Sequence, residues 1–509
     1  MQFHVFPARR GSKQPQPGPG SWILRPESLD DAGLRTTFKL SFFPQAGNEV
    51  PVGSVKIIRR SVQAGRTVLE PTFDALGPEY ASLGAELEYY LELQRVAGRD
   101  ARAVLEALRD IAIDPVRRSS FEAETGYRTS LLRFSPAKVA LEQAAGLFDE
   151  EKSAIVSAPS STLIFETSVG GTMFPVDFNL EAEPDLPARI SVIIGPNGSG
   201  KTRLLSNLAL AAFDSSEGAE PAKWGNLRGG VEFSRILAFS YSAFDDFDIP
   251  GQTRAQRQTF TSQTSSLGYR YFGLRDLQNA TTTGSRVTVP LKTVRQISDD
   301  FRRAETEARE MDDESLRSCL SRLFEDPSFA AAGYRLPSAE NDENGDLRRI
   351  FRQSSTGHKF VMLMTVQLAA HLRPGSLVLI DEPESHLHPP LLATFLTILR
   401  TLLDGRNAHA IIATHSPFVV QETPAKYVRI ISRQVTATTV DTPSIETFGE
   451  DIGTISREVF RLDTRAGEFV DTLRTLADRY TLDQIEARFA NGLSAQARSL
   501  VMARQARRR

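Results

Sequence analysis

Three aliphatic runs dominate the hydrophobic pattern: Ile190-Ser191-Val192-Ile193-Ile194, Leu377-Val378-Leu379-Ile380 and His409-Ala410-Ile411-Ile412-Ala413. Such unbroken runs mark parallel strands buried on both faces, and ligands bind at the C-terminal edge of sheets built from them. Other stretches read differently. Thr37-Phe38-Lys39-Leu40-Ser41-Phe42 alternates and Val55-Lys56-Ile57-Ile58 follows a Gly-Ser turn, so Trp22 to about Arg60 reads as β. From Pro78 towards Ile113, Leu83, Leu87 and Tyr90, then Val104, Leu105, Leu108 and Ile111 fall on one helical face, interrupted at Gly98. Short alternating segments between Tyr127 and Leu180, such as Thr162-Leu163-Ile164-Phe165, predict an antiparallel sheet ahead of the first aliphatic strand. Helices are expected over Gln296 to Phe324 and Phe360 to Ala370.

Punctuation divides the chain further. Residues 7–21 are rich in Pro and Gly, and 1–21 reads as a flexible lead-in. A small α/β module is expected over 22–117 and a lobe bearing the first aliphatic strand over 118–249. A polar, partly helical insert follows over 250–350, a second lobe over 351–440, and an extension over 441–509. The fold class is α/β, a mainly parallel sheet with flanking helices and an antiparallel β lobe.

Composition narrows the setting. Hydrophobic residues make up 40% and charged residues 24% of 509, ordinary for a globular protein, and the formal charge of -3 neither favours nor excludes nucleic acid. One cysteine, Cys319, permits no intrachain disulfide. With no apolar signal segment and no run of membrane-spanning length, the expected location is cytoplasmic and no membrane contact is expected.

The chemistry sits where the aliphatic strands end. Ile194 runs into Gly195-Pro196-Asn197-Gly198-Ser199-Gly200-Lys201-Thr202, the GxxxxGK[ST] phosphate loop between strand and helix. Its glycines let successive N–H groups face one anion-sized hollow backed by a helix N-terminus. Lys201 supplies positive charge for β- and γ-phosphates, and the Thr202 hydroxyl is placed for Mg²⁺. The second strand ends in Asp381-Glu382, with Asp381 expected on Mg²⁺ and Glu382 as the general base that polarises water. ATP and Mg²⁺ are therefore the expected ligands.

Two more segments indicate the class. Arg352-Gln353-Ser354-Ser355-Thr356-Gly357-His358-Lys359 resembles the signature of ABC ATPases, usually LSGGQ, with Ser355 and Gly357 retained. Ile411-Ile412-Ala413-Thr414-His415-Ser416-Pro417 resembles their switch motif, whose histidine, here His415, contacts the γ-phosphate. The order of motifs over roughly 187–435 is that of ABC ATPases. Asp381-Glu382-Pro383-Glu384-Ser385-His386-Leu387-His388-Pro389 is similar to the corresponding segment of soluble members in the OLD and RecF/SMC-related groups. More loosely, the text around Phe448 and Leu493 resembles ATPase subunits of Septu-type and retron-associated anti-phage systems, which work with a separate HNH-type nuclease.

What the resemblance implies is an ATPase that forms a homodimer around ATP, with Ser355 and Gly357 reaching the partner's nucleotide, and that controls a nuclease. A RecF-like repair ATPase, the ATP subunit of a transporter and a non-hydrolysing ATP sensor remain alternatives. DNA is left open as a ligand for Arg498, Arg504, Arg507, Arg508 and Arg509. OLD nucleases add a Toprim domain, but no DxD cluster follows His415, so this chain is not expected to be the nuclease. Two departures stand out. About 150 residues separate Thr202 from Ser354, implying an inserted subdomain. The segment near Ser240 to Asp245 lacks the family's glutamine, which leaves Asp245 as the acidic substitute to consider. His386 and His388 read as part of the loop at the dimer contact, not as a zinc pair.

Overall fold

The computed structural model describes residues 1–7, 17–45, 47–148, 162–183, 185–214, 224–242, 247–250, 267–279, 281–283, 286–338, 346–434, 437–460 and 468–506. The three aliphatic runs form strands Ile190–Ile194, Leu377–Asp381 and His409–Thr414, all buried throughout. They lie side by side in a seven-stranded sheet. Its order is Tyr269–Gly273, Ile236–Ser240, Leu377–Asp381, His409–Thr414, Ile190–Ile194, Val428–Gln434, Ala437–Asp441. The first six are parallel and the last is antiparallel.

Both faces of this sheet are covered, which is why its strands do not alternate. Val192, Ile194, Val378, Ile380 and Ile412 face a core shared with helices Val294–Phe324, Thr356–His371 and Pro389–Gly405. Ile193, Leu377, Leu379 and Ile411 face the opposite core, which holds helix Lys201–Phe213 and the hairpin Thr162–Ser168 with Met173–Asn179. Each such side chain contributes about 1.5–3 kcal/mol when fully buried, so a polar residue at either parity would be costly.

The N-terminal module is a six-stranded sheet backed by helices. It begins earlier and ends later than the sequence pattern indicates. Phe3–Val5, inside the expected lead-in, pairs with Ser21–Pro26 and Thr72–Phe73, and Phe3 stacks on Phe73 at 4.9 Å. Helix Ser135–Leu147 occupies part of the expected antiparallel region and buries Ala137, Ala140, Leu141 and Ala144 in the module's core. Tyr80–Gly84 is a strand, not the start of a helix. Its small residues let it lie against Val55–Arg59 with Tyr89 and Tyr90 packed over it, and a Cβ at Gly84 would meet Tyr89 at 2.4 Å.

The region expected as an insert is partly integral. Tyr269–Gly273 is an edge strand of the main sheet, and Phe301, Ala304, Leu320 and Leu323 of helix Val294–Phe324 lie in the main core. Likewise Ile455 and Val459 of the expected extension join that core, whereas Leu473, Ala477, Ile485 and Val501 form a small cluster of their own.

The module and the sheet domain meet through buried charge. Arg235, preceding strand Ile236–Ser240, pairs with Glu86 at 2.8 Å, both side chains 2% exposed. Arg373, just beyond helix Thr356–His371, grips Glu88. Burial alone would raise the Glu88 carboxyl, but Arg235, Arg373 and Arg270 outweigh it and bring the pKa down to about 2.

Candidate active site

The loop Gly195–Gly200 connects strand Ile190–Ile194 to helix Lys201–Phe213. Three of its glycines are sterically required. A Cβ on Gly195 would stand 2.2 Å from the Ile431 carbonyl oxygen, and Gly198 and Gly200 have φ of 79° and 92°, the left-handed region. The Ser199 hydroxyl is buried without a hydrogen-bond partner among the described residues, a polar group that an anion in the loop would satisfy. Lys201 is 5% exposed and donates to the Gly195 and Pro196 carbonyls at 3.0 and 3.2 Å. Burial pushes its ammonium below the ordinary lysine value, while Glu382, Asp381 and Glu384 pull the other way. Pro196 and Asn197 form the exposed rim of the loop.

Strand Leu377–Asp381 brings its carboxylate to the same edge. The Thr202 hydroxyl donates to Asp381 at 2.9 Å to Oδ2 and 3.1 Å to Oδ1. A hydroxyl and a carboxylate together form a hard oxygen pair of the kind that holds Mg²⁺ alongside phosphate oxygens and water. Among the described residues no cluster of three or more His, Cys, Asp or Glu side chains forms a protein-only metal cage. A hydroxyl and one carboxylate leave the other positions around such an ion to phosphate oxygens and water.

Glu382 leaves the strand in a left-handed conformation, φ 48° and ψ 58°, with its N–H held by the Ala413 carbonyl at 2.8 Å. A non-glycine residue there is strained, and such strain concentrates at functional sites. The turn aims the side chain, 29% exposed, towards His415, whose Nδ1 lies 3.6 Å from Glu382 Oε1.

A residue that the sequence reading gave no role completes this corner. Glu384 is only 8% exposed, and its Oε1 accepts from the Thr414 hydroxyl at 2.5 Å and the His415 N–H at 2.7 Å. The same oxygen is 3.1 Å from His415 Nδ1, though the ring is not aligned for a directed hydrogen bond. Glu384 Oε2 is buried and unpartnered among the described residues. The second glutamate of Asp-Glu-Pro-Glu was visible in the text, but its partners lie thirty positions on and only the fold joins them.

The signature segment forms a separate cluster. Ser355 caps helix Thr356–His371, accepting from the His358 N–H. Gly357 lies against the His386 carbonyl, where a Cβ would approach to 2.7 Å. Lys201, Thr202, Asp381, Glu382 and His415 thus converge at the sheet edge, while Gly357 lies against the segment just past Glu382 and Ser355 is engaged with His358.

The histidines of that segment have structural duties. His386 Nε2 donates to the Tyr241 carbonyl at 3.2 Å and its ring stacks on Phe360 at 4.1 Å, while His388 caps helix Pro389–Gly405. Asp245 lies outside the described residues. Of the terminal arginines, Arg498 pairs with Glu486 and Arg504 with Asp478, so their charge is partly engaged within the chain, while Arg507 to Arg509 lie outside the described residues. No described helix is long and apolar enough to cross a membrane.

Residues 283–421 match the profile of the family described as "AAA domain, putative AbiEii toxin, Type IV TA system". That span holds the signature segment, the acidic strand and His415, and the phosphate loop precedes it. The chain is 28% identical over 490 residues to Protein ea59 of Escherichia phage lambda, covering 91% of this chain and 90% of that protein. Among solved structures, the SMC head domain from Thermotoga maritima aligns at 11% identity over 56% of this chain and 100% of its own, TM-score 0.27. UvrA2 from Deinococcus radiodurans aligns at 16% identity over 58% of this chain and 39% of its own, also with TM-score 0.27. Residues 283–421 are thus similar to an AAA-type ATPase domain, and the phosphate loop at Gly195–Thr202 lies ahead of the matched span.

Proposed function

We propose that the chain binds ATP with Mg²⁺ in the loop Gly195–Thr202 and hydrolyses it, the site being completed by Ser355 and Gly357 of a second copy. The observation that carries this reading is the 2.9 Å contact between Thr202 and Asp381, with the strained Glu382 next in line. Lys201 and the loop N–H groups hold the β- and γ-phosphates, and Thr202 and Asp381 hold Mg²⁺. When bound, Mg²⁺ supplies charge neutralisation at the phosphate oxygens. Glu382 orients the attacking water and takes its proton, and His415, held by Glu384, lies beside the departing γ-phosphate.

Nucleotide then acts by mass action, because contacts to the γ-phosphate from a second copy exist only in the closed pair. The conformational cycle controls an effector, and we infer a nuclease in conflict between phage and host. Support for that role comes from a relative in a phage and a family description that names a toxin–antitoxin system. The test is phosphate release by the purified chain, beside Lys201→Ala and Glu382→Gln. Glu382→Gln should keep ATP binding and lose turnover by about 10²-fold or more. Turnover at the native rate in that variant would remove Glu382 as the base. Affinity capture from the native host, with nuclease assays of the captured complex, tests the effector.

A further inference from the structure

A chain of four side chains ends at the signature serine. The Ser328 hydroxyl lies 2.6 Å from Asp326 Oδ1, His358 Nε2 lies 3.0 Å from Ser328 Oγ, and Ser355 Oγ lies 2.9 Å from His358 Nδ1. The Asp326 end fixes the direction of every bond. Asp326 also accepts from the Ser328 N–H at 2.9 Å and the Thr394 hydroxyl at 2.9 Å. Burial opposes ionisation there, but these bonds hold its carboxyl below the ordinary range. A carboxylate only accepts, and a serine hydroxyl has one proton. Ser328 spends that proton on Asp326, so towards His358 it can only accept.

His358 Nε2 must therefore carry a hydrogen. In the neutral ring Nδ1 is then bare, and Ser355 must donate to it. The one proton that Ser355 could offer a phosphate oxygen is tied up in its own subunit. Protonation at Nδ1 reverses this single bond: the imidazolium donates to Ser355 Oγ, and the serine hydroxyl is released to point outward.

We propose that gripping a phosphoryl group through Ser355 is coupled to uptake of one proton by His358. The proposal rests on the signature reading above and adds its regulation.

The surroundings favour such a switch. His388 and Asp326 are the charged or titratable groups acting on the ring, and the rings of Phe329 and Tyr334 pack edge-on at 4.3 and 5.9 Å. Tyr334 spends its own hydroxyl on the Gln353 carbonyl. Burial and then His388 lower the His358 pKa below the ordinary value, with Asp326 acting the other way. In the free chain at neutral pH the ring is uncharged, and an arriving phosphate raises its affinity for a proton. Between the free and bound pKa values, binding should tighten by up to about tenfold for each unit that pH falls.

The test measures nucleotide-dependent self-association of the full chain by sedimentation, with Mg²⁺ and a non-hydrolysable ATP analogue, from pH 6 to 8.5. His358→Gln keeps a polar side chain but cannot titrate, so its association should be flat after the nucleotide's own titration is subtracted. Ser328→Ala removes the acceptor that forces hydrogen onto Nε2. It permits the other neutral tautomer and should bring association at pH 8 up to the native level at pH 6.5. An unchanged slope in His358→Gln overturns the coupling. Association indifferent to Ser355→Ala, or no association at any pH, removes the signature reading itself; dependence on Ser355 without a His358-linked slope removes only the proton.

Discussion

Arg373 holds Glu88 with two prongs, Nε to Oε2 at 2.5 Å and Nη2 to Oε1 at 3.1 Å, joining the end of the signature helix to the N-terminal module. The pair lies beside Arg235–Glu86, so the module and the main sheet domain share one buried network of ions. Removing Arg373 takes away the two charge-assisted hydrogen bonds to Glu88, while Arg235 and Arg270 still act on its carboxylate. Arg373→Met should destabilise the chain by about 2 kcal/mol, read from urea unfolding monitored by tryptophan fluorescence. The double change Glu88→Gln with Arg373→Met should recover much of that loss. A single-variant effect below about 0.5 kcal/mol, the range of ordinary surface changes, would mean that the ions do not join the two parts.

Glu384 fixes the switch corner through the Thr414 hydroxyl and the His415 N–H. Glu384→Ala should let that corner drift and lower kcat by about 10²-fold while KM changes little. Glu384→Gln keeps an acceptor oxygen and should retain much of the rate. Equal damage from both substitutions would assign the effect to charge and not to positioning.

Gly195→Ala would place a methyl carbon 2.2 Å from the Ile431 carbonyl. Backbone has no rotamer with which to yield, so the loop must open. Nucleotide binding by calorimetry should fall below detection while the thermal transition of the N-terminal module stays. Retained affinity would show that the loop relaxes at Pro196 instead.

His409 donates Nε2–H to the Leu180 carbonyl at 2.7 Å, tying the sheet to the end of the hairpin strand Met173–Asn179. Burial lowers its pKa from 6.5 to about 4, more than the carbonyl bond restores. The unfolded chain therefore takes up a proton before the folded one does. This contribution is complete above pH 6.5 and fades as pH falls towards 4, by at most about 3 kcal/mol. His409→Gln should flatten stability against pH over that window, measured by chemical denaturation at each pH.

The sheet was legible where burial acts on both faces at once. Leu377, Val378, Leu379 and Ile380 alternate between two cores, and a run with no polar position has few other solutions. Tyr80–Gly84 was misread because the Leu83–Leu87–Tyr90 spacing also satisfies a helix. What decides it is pairing with Val55–Arg59, which local spacing cannot express. The edge strand Tyr269–Gly273 was hidden for the same reason. At the site, Asp381 ends one parallel strand and Thr202 opens the helix after the loop from another, at the same sheet edge, so their proximity could be anticipated. Asp326 and Ser328 come from the start of the short helix Pro327–Ala331 and His358 from helix Thr356–His371, and no motif spacing announces their meeting.

The close approach of Gly357 to the His386 carbonyl makes the start of the signature helix and the turn beyond Glu382 a single mechanical piece. In the proposed closed pair of copies, a pull on one end of that piece from across the boundary would reach a point four residues from Glu382, the proposed base, of the same chain, and on that reading the two nucleotide sites would be mechanically coupled.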